Sequence, residues 1–188
     1  MMNLKKTVLL LAAVAVVGTG GVMAASAPGY GRGMVDVEVI LMSSQTAGYR
    51  TYYNEPFGYS LDIPDAASDV EPTSSGDGCY FQDPQAHAVI SVYGTKNMMN
   101  FTAAQLYRID LSRNGNPTLT KNELTDKSYV ISWVKKDKVY YEAVCVNDNG
   151  TYTSFSVVYP VKEKATYDAY CTHMQASFIP TGAVYTGK

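Results

Sequence analysis

The sequence predicts an α+β fold: an antiparallel β-sheet of about six or seven strands flanked by two helices, an α/β/α sandwich. Three observations carry this. The segments run in the order two hairpins, helix, three-strand meander, helix. The strand-like runs are short, rich in Tyr, Val and Thr, and separated by turn residues, as antiparallel neighbours are. Each helical stretch has one apolar stripe, so each has one face to lay on a sheet.

The chain opens with Lys5 and Lys6, then an unbroken apolar run, Thr7 to Val17, followed by small residues. That run has about 11 residues, whereas a bilayer-spanning helix needs roughly 20, so it reads as a secretory signal peptide and not as a membrane anchor. Val22-Met23-Ala24 supplies short residues at the recognition positions of a signal peptidase, which places cleavage after Ala24. Residues 1–24 are thus the expected signal peptide, and the destination is outside the cytoplasm: secreted, or periplasmic within the cell envelope. No membrane span remains after cleavage. Residues 25–48 read as a flexible lead-in, with one short apolar stretch from Val35 to Met42.

From Tyr49 the pattern sharpens into a single domain over residues 49–180, with 181–188 as a tail. YRTYY, NEPFG and YSLDIP read as strand, turn and strand, and Pro64 closes the second strand because it has no N–H for a ladder. Residues 65–78, rich in Asp, Ser, Pro and Gly, read as an exposed loop. Cys79 to Gln82 and Ala88 to Tyr93 form a second hairpin about Asp83-Pro84-Gln85. Thr102 and Gln105 then make a capping box, with Phe101 and Leu106 at the positions of a hydrophobic staple. Asn114-Gly115 and Pro117 stop that helix, which spans Ala103 to Arg113. Tyr129 to Lys135, Lys138 to Val146 and Thr151 to Tyr159 follow as a meander whose last turn contains Asn149-Gly150. Both faces of the middle strand are largely apolar, which marks it as central and covered on each side. Lys164 to Phe178 is the second helix, with Tyr167, Tyr170, Cys171, Met174 and Phe178 on one stripe.

This element order, together with TYYNEPFGYSLDIP, resembles the PsbP-like fold found in many bacterial exported proteins. Phe57-Gly58-Tyr59-Ser60-Leu61-Asp62-Ile63-Pro64 has the shape of the second strand of such domains, and the resemblance spans Tyr49 to Pro180. The run DAASDV after Pro64 departs from the pattern, which often carries a tryptophan there. The resemblance implies an antiparallel sheet between helices and a binding or assembly role. It transfers no functional residue.

Loss of residues 1–24 leaves 13 basic against 17 acidic residues, a mature charge of −4. With no Lys/Arg run, the chain lacks what nucleic acid or an anionic membrane surface requires. Three cysteines remain, Cys79, Cys145 and Cys171, which in an oxidising compartment implies one disulfide and one leftover thiol. Cys171 lies on the sheet-facing stripe of its helix and Cys145 on a central strand, so the expected pair is Cys145–Cys171. Both as buried free thiols is the alternative. A leftover Cys79 permits a disulfide-linked dimer, and the sequence leaves monomer and dimer open.

Catalytic constellations are scarce. The histidines are His87 and His173. Cys171 and His173, two apart on a helix, point about 200° apart and cannot share a proton easily. No nucleophile elbow, phosphate loop or zinc-protease signature appears. The acids Asp62, Asp65, Asp69, Glu71 and Asp77 do not match a calcium loop and read as solvated surface. No metal and no cofactor is expected, and the balance is against an enzyme. The remaining lead is aromatic: Tyr129 and Trp133 on one strand face, with Tyr140 on the neighbouring strand. Covered by a helix, they are core; left partly open, they are a platform for a partner. The expected function is a non-catalytic domain that binds an envelope or extracellular protein. A small-ligand or glycan binder using the aromatic face is the alternative.

Overall fold

The computed structural model describes residues 23–26 and 38–183. The expected signal peptide lies outside the described residues except for Met23 and Ala24, and the expected C-terminal tail lies outside them beyond Ala183. Four strands, β1 (Met23–Ser26), β2 (Glu38–Ser43), β3 (Tyr49–Asn54) and β4 (Tyr59–Pro64), form a small antiparallel sheet in chain order. The large sheet has seven, β5 (Asp69–Pro72), β6 (Gly78–Asp83), β7 (Ala88–Lys96), β8 (Leu119–Leu124), β9 (Ser128–Lys135), β10 (Lys138–Val146) and β11 (Thr151–Pro160), in the order β5-β6-β7-β11-β10-β9-β8. Helix α1 (Ala103–Arg113) joins β7 to β8, and a short 3-10 turn leads from β11 into α2 (Lys164–Ser177).

The fold class and the two helices are as the sequence predicts. The first hairpin, however, stands in its own sheet with β1 and β2, so the globular unit begins ahead of Tyr49. Two strands also arise beyond those expected, the first where a loop was expected. In residues 65–78, β5 pairs with β6 over four residues and ends at Pro72, too short a ladder to show against its turn-rich flanks. Strand β8 is polar between its terminal leucines and half solvated; Lys121 and Glu123 beside one another protect an outer edge without any apolar alternation.

The larger core lies between the seven-stranded sheet on one side and the small sheet with α2 on the other. Tyr52 meets Phe81 edge to face at 5.3 Å, and Phe178 meets Phe155 at 5.4 Å. From α2, Tyr167, Cys171 and Met174 enter it at helical spacing. A Cβ on Gly94 would come within 2.4 Å of the Phe57 ring, so a glycine at this point of β7 is what admits the aromatic from the β3–β4 turn. The smaller core lies on the opposite face, beneath α1, and holds Leu106, Tyr129, Ile131, Trp133 and Val144. The capping box of α1 is formed on both sides: Thr102 Oγ1 accepts from Gln105 N–H at 3.3 Å, and Gln105 Oε1 from Thr102 N–H at 2.8 Å.

Tyrosine abundance has its explanation here. Rather than keeping their hydroxyls in water, the buried rings donate to chosen acceptors in the protein. Tyr59 donates to the Asp77 carbonyl at 2.9 Å, Tyr141 to Gln175 at 2.7 Å, Tyr159 to Asp168 at 2.6 Å and Tyr167 to Asp83 at 2.8 Å, while Tyr129 donates to Asp110. Four of these bonds tie a helix to a strand, so each ring supplies apolar area and fixes position together.

The Cys145–Cys171 disulfide is not formed; all three cysteines are free thiols. Cys145 does share a face with Tyr141 and Ala143, toward α2. The misjudged quantity is the helix's position along the strand. Cys171 sits beside Tyr159, which pairs with Val139, whereas Cys145 pairs with Thr153. Val139 and Cys145 are six residues apart on β10, about 20 Å at the rise of a strand, while a bridge needs Cα atoms within about 7 Å. Cys79 is 1 % exposed within the core and is not presented for an intermolecular bond.

Candidate binding face

Helix α1 packs chiefly on β8, β9 and β10. Further along that side of the large sheet, Tyr152 of β11 still packs against the core under α1, whereas β7 and β6 present exposed rings. Strand alternation sends Ala88, Ile90 and Val92 of β7 into the larger core and Val89, Ser91 and Tyr93 to the uncovered side. Tyr80 of β6 follows the same rule. Tyr80 and Tyr93 are 41 % and 36 % exposed. At the N-terminal end of α1, Met98 and Met99 project into solvent beside a hollow of about 200 Å³ that reaches Phe101, Leu106, Ile109 and Tyr152. Asn97 holds this turn in place: its side chain donates to the Phe101 carbonyl and accepts from the Phe101 N–H.

At the other end of α1, beside Asn114, a cleft of about 170 Å³ opens onto the sheet. Trp133 and Tyr140 stack along its wall with ring centroids 5.2 Å apart and planes 6° from parallel. Glu142 and Ser156, paired across β10 and β11, lie in it. Burial, and next the Asp110 carboxylate, push the Glu142 carboxyl up to about 7, with Arg113 pulling the other way. Asp110 has company of its own, the Tyr129 hydroxyl and Arg113 at 3.8 Å. The Glu142 carboxylate makes no hydrogen bond or ion pair among the described residues.

Of the three residues singled out in the sequence, Trp133 and Tyr129 are core, 4 % and 1 % exposed beneath α1. Tyr140 is half-buried at the cleft, stacked on Trp133. The exposed side chains lie instead on β7, β6 and the turn before α1, at Tyr93, Tyr80, Met98 and Met99, with Glu142 in the cleft on β10 itself; none of these five was singled out in the sequence. For Glu142 there was a signal, a lone acid inside a strand apolar on both faces. For Tyr80 and Tyr93 there was none, because the reach of α1 is a tertiary property.

A second polar cluster joins the small sheet to α2. Asp62, 7 % exposed and not part of a solvated loop, accepts from Thr51 at 2.6 Å and Ser44 at 2.7 Å and meets His173 Nε2 at 2.8 Å. Burial alone would raise its carboxyl; the Thr51, Ser44 and His173 contacts outweigh that and lower it. Tyr49 lies over the His173 ring at 3.9 Å. Serine, aspartate and histidine are all present, yet Ser44 and His173 both address the same aspartate oxygen. No hydroxyl is thereby set against a histidine base, the contact that nucleophilic catalysis requires. The cluster fastens α2 to the hairpin. Cys171 points into the core, away from His173, as the helical spacing predicts. Asp65 pairs with Arg50, and Asp77 accepts from Thr73 and Ser75, so the acids of residues 62–77 do not converge.

The architecture is that of a PsbP-like domain. The chain is similar to cyanobacterial PsbP from Synechocystis sp. PCC 6803, whose solution structure aligns with a TM-score of 0.53 and 17 % identity over 72 % of this chain and 94 % of that one. It is also similar to the Ran-binding protein Mog1p of Saccharomyces cerevisiae, with a TM-score of 0.46 and 10 % identity over 72 % and 96 % of the two chains. No protein-family model matches the sequence, and no curated protein does. No helix among the described residues is long and apolar enough to cross a membrane.

Proposed function

We propose that this is a non-catalytic exported domain that binds an envelope or extracellular protein through the half of the large sheet that α1 leaves uncovered. The observation that carries this is the grouping of exposed Tyr80 and Tyr93 on that face with Met98 and Met99 at its margin. Tyrosine and methionine are enriched where proteins meet, because they bring large contact area with adaptable or amphipathic side chains. Export is supported by the sequence of residues 1–24. The glycan reading has less support, since a sugar needs an open aromatic face and the Trp133 ring is stacked on Tyr140 and nearly buried.

The test is photo-crosslinking capture of the tagged protein in its own host, comparing the natural chain with a Tyr80→Ser/Tyr93→Ser double variant. Both rings are already partly in water, so the variant keeps its fold. One partner recovered reproducibly, and lost from the double variant, is the expected result. Equal recovery from both proteins, or nothing above background, sinks the reading.

A further inference from the structure

We infer that the cleft between the C-terminal end of α1 and strands β9 to β11 seats a cationic side chain, lysine or arginine, presented by the partner. This rests on the reading of the adjoining face as a partner surface and adds the chemistry of one contact. Three polar groups converge on the cleft without a partner among the described residues: the Glu142 carboxylate, the Ser156 hydroxyl and the Tyr140 hydroxyl. A carboxylate drawn into a partly dry site needs a counter-charge, and leaving it bare is costly.

The surrounding charges do not supply one. From α1, Asp110 repels Glu142 and Arg113 attracts it, but Arg113 is engaged with Asp110 and mostly in solvent. Tyr129 from β9 and Tyr93 from β7 are neutral donors near it, and β11 contributes no charged group, only Ser156. With Glu142 ionised, the group of Glu142, Asp110 and Arg113 is left with one net negative charge. The walls suit the same occupant. The Tyr140 ring, backed by Trp133, gives one aromatic wall for a stem or a planar guanidinium, and Ser156 and the Asn114 side chain offer acceptors to its N–H groups. The volume, about 170 Å³, is several waters' worth of space, enough for the end of a long side chain. An anion meets Glu142 and Asp110 and is refused.

The chain has one tryptophan, and it lines this cleft, so its emission reports occupancy directly. The purified protein is titrated with Nα-acetyl-arginine amide and Nα-acetyl-lysine amide, with the norleucine amide as uncharged counterpart and methylammonium as a small free cation. Calorimetry provides a second reading. The expected result is saturable binding of the arginine or lysine probe, tightening about tenfold or more from pH 5 to pH 8 as Glu142 ionises. Glu142→Gln abolishes it, whereas Glu163→Gln, at the start of α2 and away from the cleft, leaves it unchanged. Norleucine binding as well as lysine, full binding by Glu142→Gln, or no saturation by either cationic probe up to about 100 mM overturns the inference. Methylammonium binding as tightly as the lysine probe reassigns the cleft to a free amine and overturns the partner side chain. Probe failure while capture still depends on Tyr80 and Tyr93 removes the cleft assignment and leaves the binding face standing.

Discussion

Replacing Glu142 with glutamine stabilises the protein at alkaline pH and does little at acid pH. An unfolded glutamate titrates near 4.5, and the fold raises Glu142 to about 7. A carboxyl raised by folding binds its proton more tightly in the native state, so the native state loses stability as pH climbs from the lower value to the higher. Below about 4.5 both states are protonated and there is no penalty; above about 7 it is complete. The interval corresponds to about 3 kcal/mol at 1.36 kcal/mol per pH unit, and water reaching the cleft reduces this to roughly 1–3 kcal/mol. Glutamine copies the shape of the protonated acid and carries no charge. Urea unfolding followed at pH 5 and pH 8 should therefore show near-equal stabilities at the lower pH and the glutamine variant ahead at the higher. A difference independent of pH, or a natural protein that is the more stable at pH 8, would refute the reasoning, since either outcome means the carboxylate already has a counter-charge inside the fold.

Acid acts in the opposite direction at Asp83. Burial disfavours its charge, but the Ala86 N–H, the Tyr167 hydroxyl and the Gln85 N–H outweigh that and lower its carboxyl. Its contribution is complete above the unfolded value near 4 and is lost as pH falls through the folded one, so Asp83→Asn lowers neutral stability by about 1–3 kcal/mol and flattens the acid limb of a pH–stability curve. Thr102→Ala removes the acceptor at the start of α1 and costs about 1 kcal/mol, read as a lowered urea midpoint. Gly94→Ala drives a methyl into the Phe57 ring and costs about 1–3 kcal/mol; pairing it with Phe57→Ala in a double-mutant cycle should recover part of that loss. Burial pushes the Cys79 and Cys171 thiols up to about 12, so iodoacetamide should leave both unmodified in the native protein and label both in urea.

What could be seen in the sequence and what could not divides along a physical line. Helix α1 was legible to the residue because capping is local: Thr102, Gln105, Phe101 and Asn114 act within five residues of an end. The meander was legible because alternation and Asn149-Gly150 act between neighbours. Strand β8 was not, because an edge strand whose residues between two terminal leucines are all polar differs from a loop only in having found β9. The Cys145–Cys171 pairing failed for a related reason. Helical periodicity fixes which way Cys171 points but says nothing of how far along β10 the helix lies. The aromatic site illustrates both. Trp133, Tyr129 and Tyr140 were correctly grouped by alternation, yet which sheet residues lie open depends on where α1 stops, and that is decided by packing.

The two cores carry different chromophores. The only tryptophan of the chain lies under α1, while the larger core is built with tyrosine and has no indole. Indole emission therefore senses the departure of α1, whereas ultraviolet absorbance difference of buried phenols senses mainly the separation of α2 and the small sheet. Coincident transitions would mean that the domain melts as one unit. An earlier emission change would mean that α1 lifts from its sheet while the rest persists, making the layer beside the proposed binding face the first to yield.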